Sequence, residues 1–315
     1  MQVLHNVCDP DEPMHRGIAG APPPIGAQLS NNEFMAGLQR LQKEASTLFK
    51  SLPEIGAPSL LLWFLLRLKR KLSFPWPEHW HAHPRQVVHD LTVRLGGSSD
   101  LDVFTQIFVY QEYSCLRGLE DVSLVLDLGA NVGYSSAYFL DCFPNSRVLA
   151  VEPDDRNVEV CRGNLEPYGN RAILVHGAVW SECTHLNISK GTYGDGREWA
   201  TQVFQSSDGS AGDVEGWDVS SLIDMAGNAN VDLLKVDIER AELAVFGEAA
   251  KKWLPGVRNI CIELHGPDCA EAFFGALAGF DYGLEYSGEL TICKNLRAKT
   301  AAALTFSDDS KSQAS

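Results

Sequence analysis

The stretch from Leu124 to Gly133 constrains the fold more narrowly than any other part of the chain. It begins with an apolar run that contains one acid, Asp127, and continues into a segment with two glycines four residues apart, Gly129 and Gly133. An apolar run followed by turn residues is typical of a buried parallel strand that leads into a tight turn and then a helix. Glycine at 129 lets the turn adopt backbone angles that are closed to other residues, and it leaves no side chain between the backbone and a ligand. The unpaired amides of the following helix would point at that ligand.

A second acid follows at the end of the next predicted strand. Arg147 to Val151 has the composition of a buried strand, and Glu152 and Pro153 come directly after it. Glu152 lies 23 residues after Gly129 (152 − 129), near the roughly 20 residues at which a strand-end carboxylate binds ribose hydroxyls. Together the two features predict the nucleoside-binding first half of a doubly wound sheet.

The composition of the loop favours one class of nucleoside. A dinucleotide-binding loop has the pattern G-x-G-x-x-G and places a pyrophosphate against backbone amides, whereas this loop lacks the middle glycine and has Asp127 just before it. A carboxylate there would repel a pyrophosphate but would attract a cationic group, such as the amino group of S-adenosylmethionine (SAM). The loop therefore predicts SAM as the cofactor, and an NAD-linked oxidoreductase is the alternative.

The charge balance argues against a nucleic-acid partner. Lysine and arginine total 26 against 41 acidic residues, which gives a formal net charge of −15, and this balance does not suit a phosphate backbone. The eight cysteines are scattered without a C-x-x-C pair, and the N-terminus has no pattern of a secretory signal. We therefore expect reduced thiols and a cytoplasmic protein.

Composition also divides the chain into segments. Residues 1–30 carry proline, glycine and acids without periodicity, which is typical of disorder. Residues 31–118 are predicted to form a helical N-terminal extension that ends in a lead-in strand and helix. Residues 119–297 are predicted to form the SAM-dependent methyltransferase domain, and the polar tail 298–315 is expected to be flexible.

The extension contains an apolar run, Leu60 to Leu66, that is followed by basic residues within 67–71. The run is far shorter than the roughly 20 residues needed to span a bilayer. We expect a helix that docks on the catalytic domain or on the partner subunit of a homodimer, and a basic amphipathic helix on an anionic membrane surface is the alternative. After it, residues 86–94 alternate as a strand does, and Ser99 and Asp100 are predicted to cap a helix that runs to Tyr110.

From residue 119 onward, strands and helices alternate, which predicts an α/β, doubly wound (Rossmann-like) sheet. The predicted elements are strands 124–128, 147–151, 172–176, 185–189, 232–236 and 259–264, and helices 134–142, 156–165, 241–253 and 269–277. A final hairpin, 282–286 and 290–294, is turned at Ser287 and Gly288, and an antiparallel end to a mostly parallel sheet is the layout of class I methyltransferases. The segment 190–216 is predicted to be a long loop, either a lid over the substrate or disordered.

Four segments of this region carry the motifs of a known family. They are DLGANVGYSS from Asp127, VEPDDRNVEVCRGNL from Val151, VDLLKVDIERAEL from Val231 and CIELHG from Cys261. With these motifs, and with SDLDVFTQIFVYQEY upstream, the sequence resembles the FkbM family of SAM-dependent methyltransferases over roughly residues 94–265. The pattern K-x-D-x-E-x-x-E with a downstream E-x-H is the specific part of the likeness. One position departs from it, because Arg240 stands where the family usually has glycine and would be strained if a positive φ is needed there.

The resemblance implies methyl transfer from SAM, commonly to a hydroxyl group. Ligands on such sheets bind beyond the carboxyl ends of the strands, so the strand-end residues are the site candidates. The candidate cofactor-binding residues are Asp127, Gly129, Asn131, Gly133, Glu152 and Ala178. The candidate catalytic residues are Lys235, Asp237, Glu239 and His265. His265 is the first choice for the base because an unperturbed histidine titrates near neutrality.

Several of these residues also have a plainer interpretation. Lys235 alternatively pairs with Glu263 of the neighbouring strand, and Glu242 is either close to the transfer site or a solvated helix residue. Asp237, Glu239 and His265 are also a set that Mg²⁺ accepts, although we expect no required metal. The sequence thus predicts a methyltransferase acting on a hydroxyl of a small molecule or glycan, such as a sugar or a natural product. A non-catalytic binding or scaffold protein on the same fold is the alternative from another class.

Overall fold

The computed structural model describes residues 78–189, 202–205, 212–227 and 230–299. The strands are β1 (His79–Ala82), β2 (Leu91–Arg94), β3 (Leu124–Leu128), β4 (Arg147–Glu152), β5 (Ala172–His176), β6 (Ala178–Val179), β7 (Thr184–Ser189), β8 (Gln202–Phe204), β9 (Val214–Trp217), β10 (Leu233–Val236), β11 (Ile260–Glu263), β12 (Phe280–Ser287) and β13 (Leu290–Ala298). The α-helices are α1 (Asp100–Phe104), α2 (Tyr134–Cys142), α3 (Asp155–Leu165), α4 (Val219–Met225), α5 (Glu242–Val245), α6 (Ala250–Trp253) and α7 (Pro267–Ala276).

Seven strands form the central sheet, in the order β12-β13-β11-β10-β3-β4-β5. The strands from β11 to β5 are parallel to one another, and β13 runs antiparallel to both of its neighbours. This arrangement confirms the predicted α/β, doubly wound fold class with an antiparallel final hairpin. Parallel strands of this kind are covered on both faces, which explains their nearly continuous apolar sequences.

Alternate residues of β3 pack on opposite faces of the central sheet. Leu124, Leu126 and Leu128 belong to the apolar cluster that includes residues of α4, α5 and α7. Val125 belongs to the other cluster, which includes residues of α1 and α2. Successive side chains of a strand point to opposite faces, so Asp127 shares the face of Val125 and is directed towards α2.

Two of the predicted helical and loop segments differ from the structure. The single helix predicted over 241–253 is instead two short helices, α5 and α6, separated around Gly247, a residue that disfavours the interior of a helix. The long loop predicted over 190–216 was wrong where the structure describes it, because β8 and most of β9 lie within this range. These strands join β6 and β7 in a second sheet of order β6-β9-β7-β8, and the lid expected over 190–201 and 206–211 lies outside the described residues.

The lead-in segment before β3 packs on the central sheet. β1 and β2 form an antiparallel hairpin, and α1 continues as a π-helical segment, Thr105–Val109, which ends close to the predicted Tyr110. Ser99 occupies the predicted N-cap position, but its side chain makes no cap hydrogen bond. Asp100 instead accepts hydrogen bonds from the Arg94 backbone and guanidinium, which ties α1 to β2.

Predictions for residues 1–30, for the helical part of the extension within 31–77 and for the tail from residue 300 onward lie outside the described residues. The apolar run within 60–66 is among them. In the described part of the chain, every helix is too short or too polar to cross a bilayer.

Candidate active site

A cavity of about 270 Å³ lies beyond the carboxyl ends of β3, β4, β10 and β11. Its walls carry an excess of acidic groups. The lining carboxylates are Glu112, Glu152, Asp237, Glu239, Glu263 and Glu289, and the lining cations are Lys235 and His265. The charge of this cavity suits a ligand with at least one positive group.

Gly129 allows the loop after β3 to pass against the end of β10. Its φ is +80°, and a Cβ at this position would lie 1.8 Å from the carbonyl oxygen of Asp237. The amides of Gly129 and Ala130 both donate to the Val151 carbonyl, at 3.0 and 2.9 Å. A side chain at 129 would therefore push apart the two strand ends that form the floor of the cavity.

Glu152 ends β4 and is held by donors from two loops. Oε2 accepts from the Asn131 amide at 2.9 Å, and Oε1 accepts from the Asp154 amide at 3.0 Å and from Asn157 Nδ2 at 3.2 Å. Each carboxylate oxygen has two lone pairs, so Oε2 keeps one acceptor position for a ligand hydroxyl. Burial raises the pKa of Glu152 to about 7, although these hydrogen bonds lower it.

Asp127 is placed differently from the sequence-based expectation, in which its carboxylate meets the ligand directly. The side chain is fully buried, and Oδ2 accepts from the hydroxyls of Ser135 and Ser136 on α2, both at 2.6 Å. Oδ1 lies 3.1 Å from Lys235 Nζ. Its carboxylate is thus already paired by groups of the protein beneath the cavity.

The strand register explains the partner of Lys235. In the sheet, Lys235 stands directly opposite Asp127 on one side and Cys261 on the other, whereas Glu263 lies two residues further along β11. Lys235 therefore pairs with Asp127 and not with Glu263. Its Nζ also donates to the Gly129 carbonyl at 2.6 Å. Burial by itself would lower the pKa of Lys235, but the charges of Asp127 and Asp237 raise it above its usual value, so Lys235 is a cation.

The other candidate cofactor residues take different positions. Asn131 lines the cavity with a φ of +51°, and Ala178 lines it from the start of β6. Gly133 does not border the cavity; a Cβ there would lie 2.9 Å from Cys161 Sγ. Its role in the fold is therefore to let α2 approach α3.

Asp237, Glu239 and His265 come together at the ends of β10 and β11. His265 Nε2 lies 3.8 Å from Asp237 Oδ1, 3.8 Å from Glu239 Oε2 and 3.6 Å from Glu263 Oε1. The other ring nitrogen, Nδ1, lies 2.8 Å from Oε1 of Glu242, and since a carboxylate only accepts, Nδ1 carries the proton of this hydrogen bond. Glu242 is completely buried, so its interpretation as a solvated helix residue was wrong.

This cluster shifts the pKa values of its members. Burial would lower the pKa of His265, but the hydrogen bond to Glu242 and the charges of Asp237 and Glu239 raise it above its ordinary value. The reason for choosing His265 as the base, an unperturbed pKa, therefore does not hold. Burial raises the pKa of Glu239 to about 7, against the effect of cationic His265.

Glu112 is a further carboxylate of the cavity with a pKa near neutrality. It begins a 3-10 helix, Glu112–Leu116, and follows Gln111, whose φ is +54°. Burial raises the pKa of Glu112 to about 7, and the charge of Asp237 raises it further while that of Lys235 lowers it. Glu112 thus interacts electrostatically with the residues at the end of β10.

Residues 127–282 match the model of the methyltransferase FkbM domain. The chain belongs to the FkbM methyltransferase family. The matched FkbM region begins within β3 and ends within β12, and it includes every candidate cofactor-binding and catalytic residue named from the sequence. No curated protein is significantly similar in sequence.

Several solved structures are similar to the FkbM chain at low identity. A methyltransferase from Geobacter sulfurreducens is 15% identical, with 85% of this chain and 98% of that chain covered and a TM-score of 0.36. Precorrin-6y C5,15-methyltransferase from Geobacter metallireducens is 11% identical, with 61% and 89% covered and a TM-score of 0.36. TrmK from M. capricolum, solved with S-adenosylhomocysteine, is 10% identical, with 61% and 70% covered and a TM-score of 0.34.

Two carboxylates of the cavity in the FkbM chain, Glu112 and Glu289, were not predicted from the sequence. Both lie outside residues 127–282, and neither follows a strand of the parallel part of the sheet. Glu112 does belong to the upstream segment that resembles the family, SDLDVFTQIFVYQEY. That resemblance was the one feature of the sequence that could have identified it.

Arg240 departs from the family pattern and adopts the conformation that glycine favours. Its φ is +75°, directly after Glu239 at +46°. The guanidinium contacts the next loop, because Nη1 donates to the His265 carbonyl at 3.0 Å and Nη2 pairs with Asp268. These contacts hold the Arg240 backbone in a left-handed conformation despite its cost.

We expect an Arg240→Gly variant to be more stable than an Arg240→Ala variant by about 1 kcal/mol. Both substitutions remove the guanidinium contacts equally, but only glycine adopts a φ of +75° without strain. Urea unfolding of the two purified variants measures the difference. Equal stabilities, or a more stable alanine variant, would mean that position 240 does not keep a positive φ in solution.

Proposed function

We propose that the FkbM domain is a SAM-dependent O-methyltransferase that acts on a hydroxyl of a sugar or another small natural product. The observation that carries this proposal is the cavity itself, which combines the Glu152 acceptor position with a wall of carboxylates beyond the ends of the parallel strands. When bound, SAM supplies a methyl group already activated by the sulfonium, and S-adenosylhomocysteine (SAH) leaves with the carbon–sulfur bond electrons. The residues of the chain then have to bind the cofactor and the acceptor, orient them for transfer, and remove the hydroxyl proton.

The cavity fits the cofactor in two respects. Glu152 has a free acceptor position on Oε2, which would take a hydrogen bond from a ribose hydroxyl. The six lining carboxylates and two cations leave an acidic cavity, and SAM carries a sulfonium and an amino group that would meet it. Ala178 and Asn131 would contribute the remaining contacts to the nucleoside.

Asp127 and Lys235 would not contact the cofactor but would fix the shape of its binding site. Lys235 Nζ binds the Gly129 and Leu128 carbonyls at 2.6 and 3.4 Å, and Asp127 holds both Lys235 and α2. The pair therefore fixes the loop that runs under the nucleoside, and we assign both as positioning residues.

Asp237, Glu239 and His265 would bind the acceptor. Their polar groups converge at one end of the cavity, where two carboxylates can accept hydrogen bonds from hydroxyl groups. We assign the proton acceptor to Glu112, which lines the cavity and whose pKa of about 7 suits a general base at neutral pH. The pKa of Glu239 is also about 7, but Glu239 is paired with His265. In this assignment, the hydroxyl proton passes to the Glu112 carboxylate as the oxygen bonds to the methyl carbon.

Isothermal titration of the purified chain with SAH tests the proposal directly. We expect one binding site per chain with a dissociation constant well below millimolar. Mass spectrometry of cell extracts incubated with the chain and SAM should then show an acceptor that gains one methyl group. Absence of SAH binding at millimolar ligand would overturn the proposal, and binding of NAD in the same experiment would favour an oxidoreductase.

The affinity for SAH is also expected to depend on pH through Glu152. The carboxylate must be ionised to accept a ribose hydroxyl, and its pKa is about 7 in the free chain, so affinity should rise with pH. Between pH 8 and pH 6 we expect SAH to bind up to about tenfold more weakly. Titration calorimetry at several pH values measures the change.

Two variants test whether the pH dependence of SAH binding comes from Glu152. Glu152→Gln should bind SAH more weakly at pH 8 and show a flatter pH profile, because the amide does not titrate. Glu159→Gln removes an exposed carboxylate of α3, the helix that follows Glu152, away from the cavity, and should behave like the unsubstituted chain. An unchanged pH profile in Glu152→Gln would contradict the assignment.

A further inference from the structure

We propose that Asp237, Glu239 and His265 form a binding site for one divalent cation, of the Mn²⁺ type, which coordinates the acceptor oxygen. This inference deepens the proposed function, since it rests on the same end of the cavity taking the acceptor. It replaces our expectation from the sequence that no metal is required.

The ligand atoms are spaced as a cation site requires. One atom from each of the three residues lies within 4.8 Å of the others. His265 Nε2 is 3.8 Å from both Asp237 Oδ1 and Glu239 Oε2, which is too far for a hydrogen bond. Octahedral ligands at about 2.1 Å from an ion lie roughly 3 to 4.2 Å from each other. The two separations from His265 Nε2 fall within that range.

The histidine is held as metal-bound histidines are. Its Nδ1 donates to the fully buried Glu242 carboxylate at 2.8 Å, which fixes the ring and turns Nε2 towards Asp237 and Glu239. An ion at Nε2 takes the place of the proton that cationic His265 carries there, so binding releases that proton. A carboxylate behind the second ring nitrogen is the usual partner of a histidine ligand.

The backbone before α5 also brings the carboxylates together. Glu239 and Arg240 adopt consecutive left-handed conformations, with φ of +46° and +75°. Such strained residues are concentrated at functional sites. Here the turn places Asp237 and Glu239 on the same side of His265, and Arg240 fastens it to the His265 carbonyl. Among the described residues, no protein donor within hydrogen-bonding distance satisfies the carboxylates of Asp237 and Glu239.

The donor set indicates the kind of ion. Two carboxylates and one imidazole suit a first-row divalent ion, and Mn²⁺ accepts oxygen and nitrogen ligands together, whereas Mg²⁺ prefers oxygen alone. An ion here would keep open positions for the acceptor. Coordination would orient the hydroxyl and make its proton easier to remove, and Glu112 would still receive that proton.

The proposal is tested by titrating the chelator-treated full chain with Mn²⁺. The electron paramagnetic resonance signal of free Mn²⁺ measures how much of the ion is bound. We expect one bound ion per chain. Asp237→Asn and Glu239→Gln should each weaken Mn²⁺ binding by at least about tenfold, and two separate variants keep the test valid if one folds poorly. Glu289→Gln removes the same charge from the same cavity and should weaken binding by less than about threefold.

The outcomes separate this proposal from the proposed function, because SAH binding is measured on the same samples. Absence of Mn²⁺ binding with intact SAH binding overturns the ion site and leaves the methyltransferase proposal in place. Mn²⁺ binding without SAH binding overturns the methyltransferase proposal and leaves the ion site in place. An equal loss in Glu289→Gln and Asp237→Asn would indicate attraction by the acidic cavity as a whole and would also overturn the ion site.

Discussion

A chain with Lys235 replaced by methionine is expected to lose about 3 to 5 kcal/mol of its free energy of unfolding. Lys235 is 2% exposed, and its ammonium group pairs with Asp127 Oδ1 at 3.1 Å. Methionine fills a similar volume without a charge, so the Asp127 carboxylate stays buried without its counterion. Urea unfolding followed by circular dichroism measures the loss.

The double variant Lys235→Met, Asp127→Asn is the matched control for this prediction. Asparagine can still accept from the hydroxyls of Ser135 and Ser136, and no unpaired charge remains in the core. Since a buried ion pair can often be replaced as a pair at little cost, we expect the double variant to recover at least about half of the loss. A double variant no more stable than Lys235→Met would contradict the prediction, and so would a single variant within about 1 kcal/mol of the unsubstituted chain.

The parallel strands of the central sheet were predictable because their sequences are short, nearly continuous apolar runs, and β3, β4 and β10 are buried almost throughout. The apolar runs left little ambiguity, and strand 124–128, helix 134–142 and strand 172–176 agree with the structure residue for residue. The second sheet was not predictable in the same way. Its strands β8 and β9 are short and half-buried, and they lie in a segment rich in glycine, serine and aspartate, which is the composition of a loop.

The location of the site was also predictable, but its electrostatics were not. Strand order alone places Glu152, Asp237 and His265 at one edge of a parallel sheet. The partner of Lys235 depends on the register between β10 and β3, which places Asp127 beside it. This register could not be deduced from the sequence. The pKa of His265 likewise depends on Glu242, which approaches only because α5 follows a left-handed turn.

Glu112 was missed for a related reason. It precedes the doubly wound pattern and reaches the cavity from a 3-10 helix of the lead-in segment, so no rule about strand ends applies to it. Its position is a consequence of how the lead-in segment packs on the sheet. Of the cavity residues, Glu112 is the one whose proposed role has the largest expected effect on the rate of methyl transfer.

A Glu112→Gln variant is expected to have a kcat lower by about 10²- to 10⁴-fold, with unchanged affinity for SAH. Glutamine keeps the size and shape of the side chain but has no basic oxygen for the hydroxyl proton. Methyl transfer to the acceptor identified by mass spectrometry, at saturating SAM, gives kcat. Glu289→Gln is the control, because it removes another carboxylate of the same cavity and should change kcat by less than about threefold.

The pH profile distinguishes a base from a residue that merely shapes the cavity. Burial raises the pKa of Glu112 to about 7, and only the ionised form accepts a proton, so kcat of the unsubstituted chain should rise as pH passes through about 7 and then level off. Saturation with SAM removes the contribution of Glu152 to this profile. The Glu112→Gln variant should lose the rise as well as the rate. If the variant keeps the rise, or keeps more than about a third of the rate, the proton goes to another group. Removal of the general base of a reaction is expected to lower the rate far more than that.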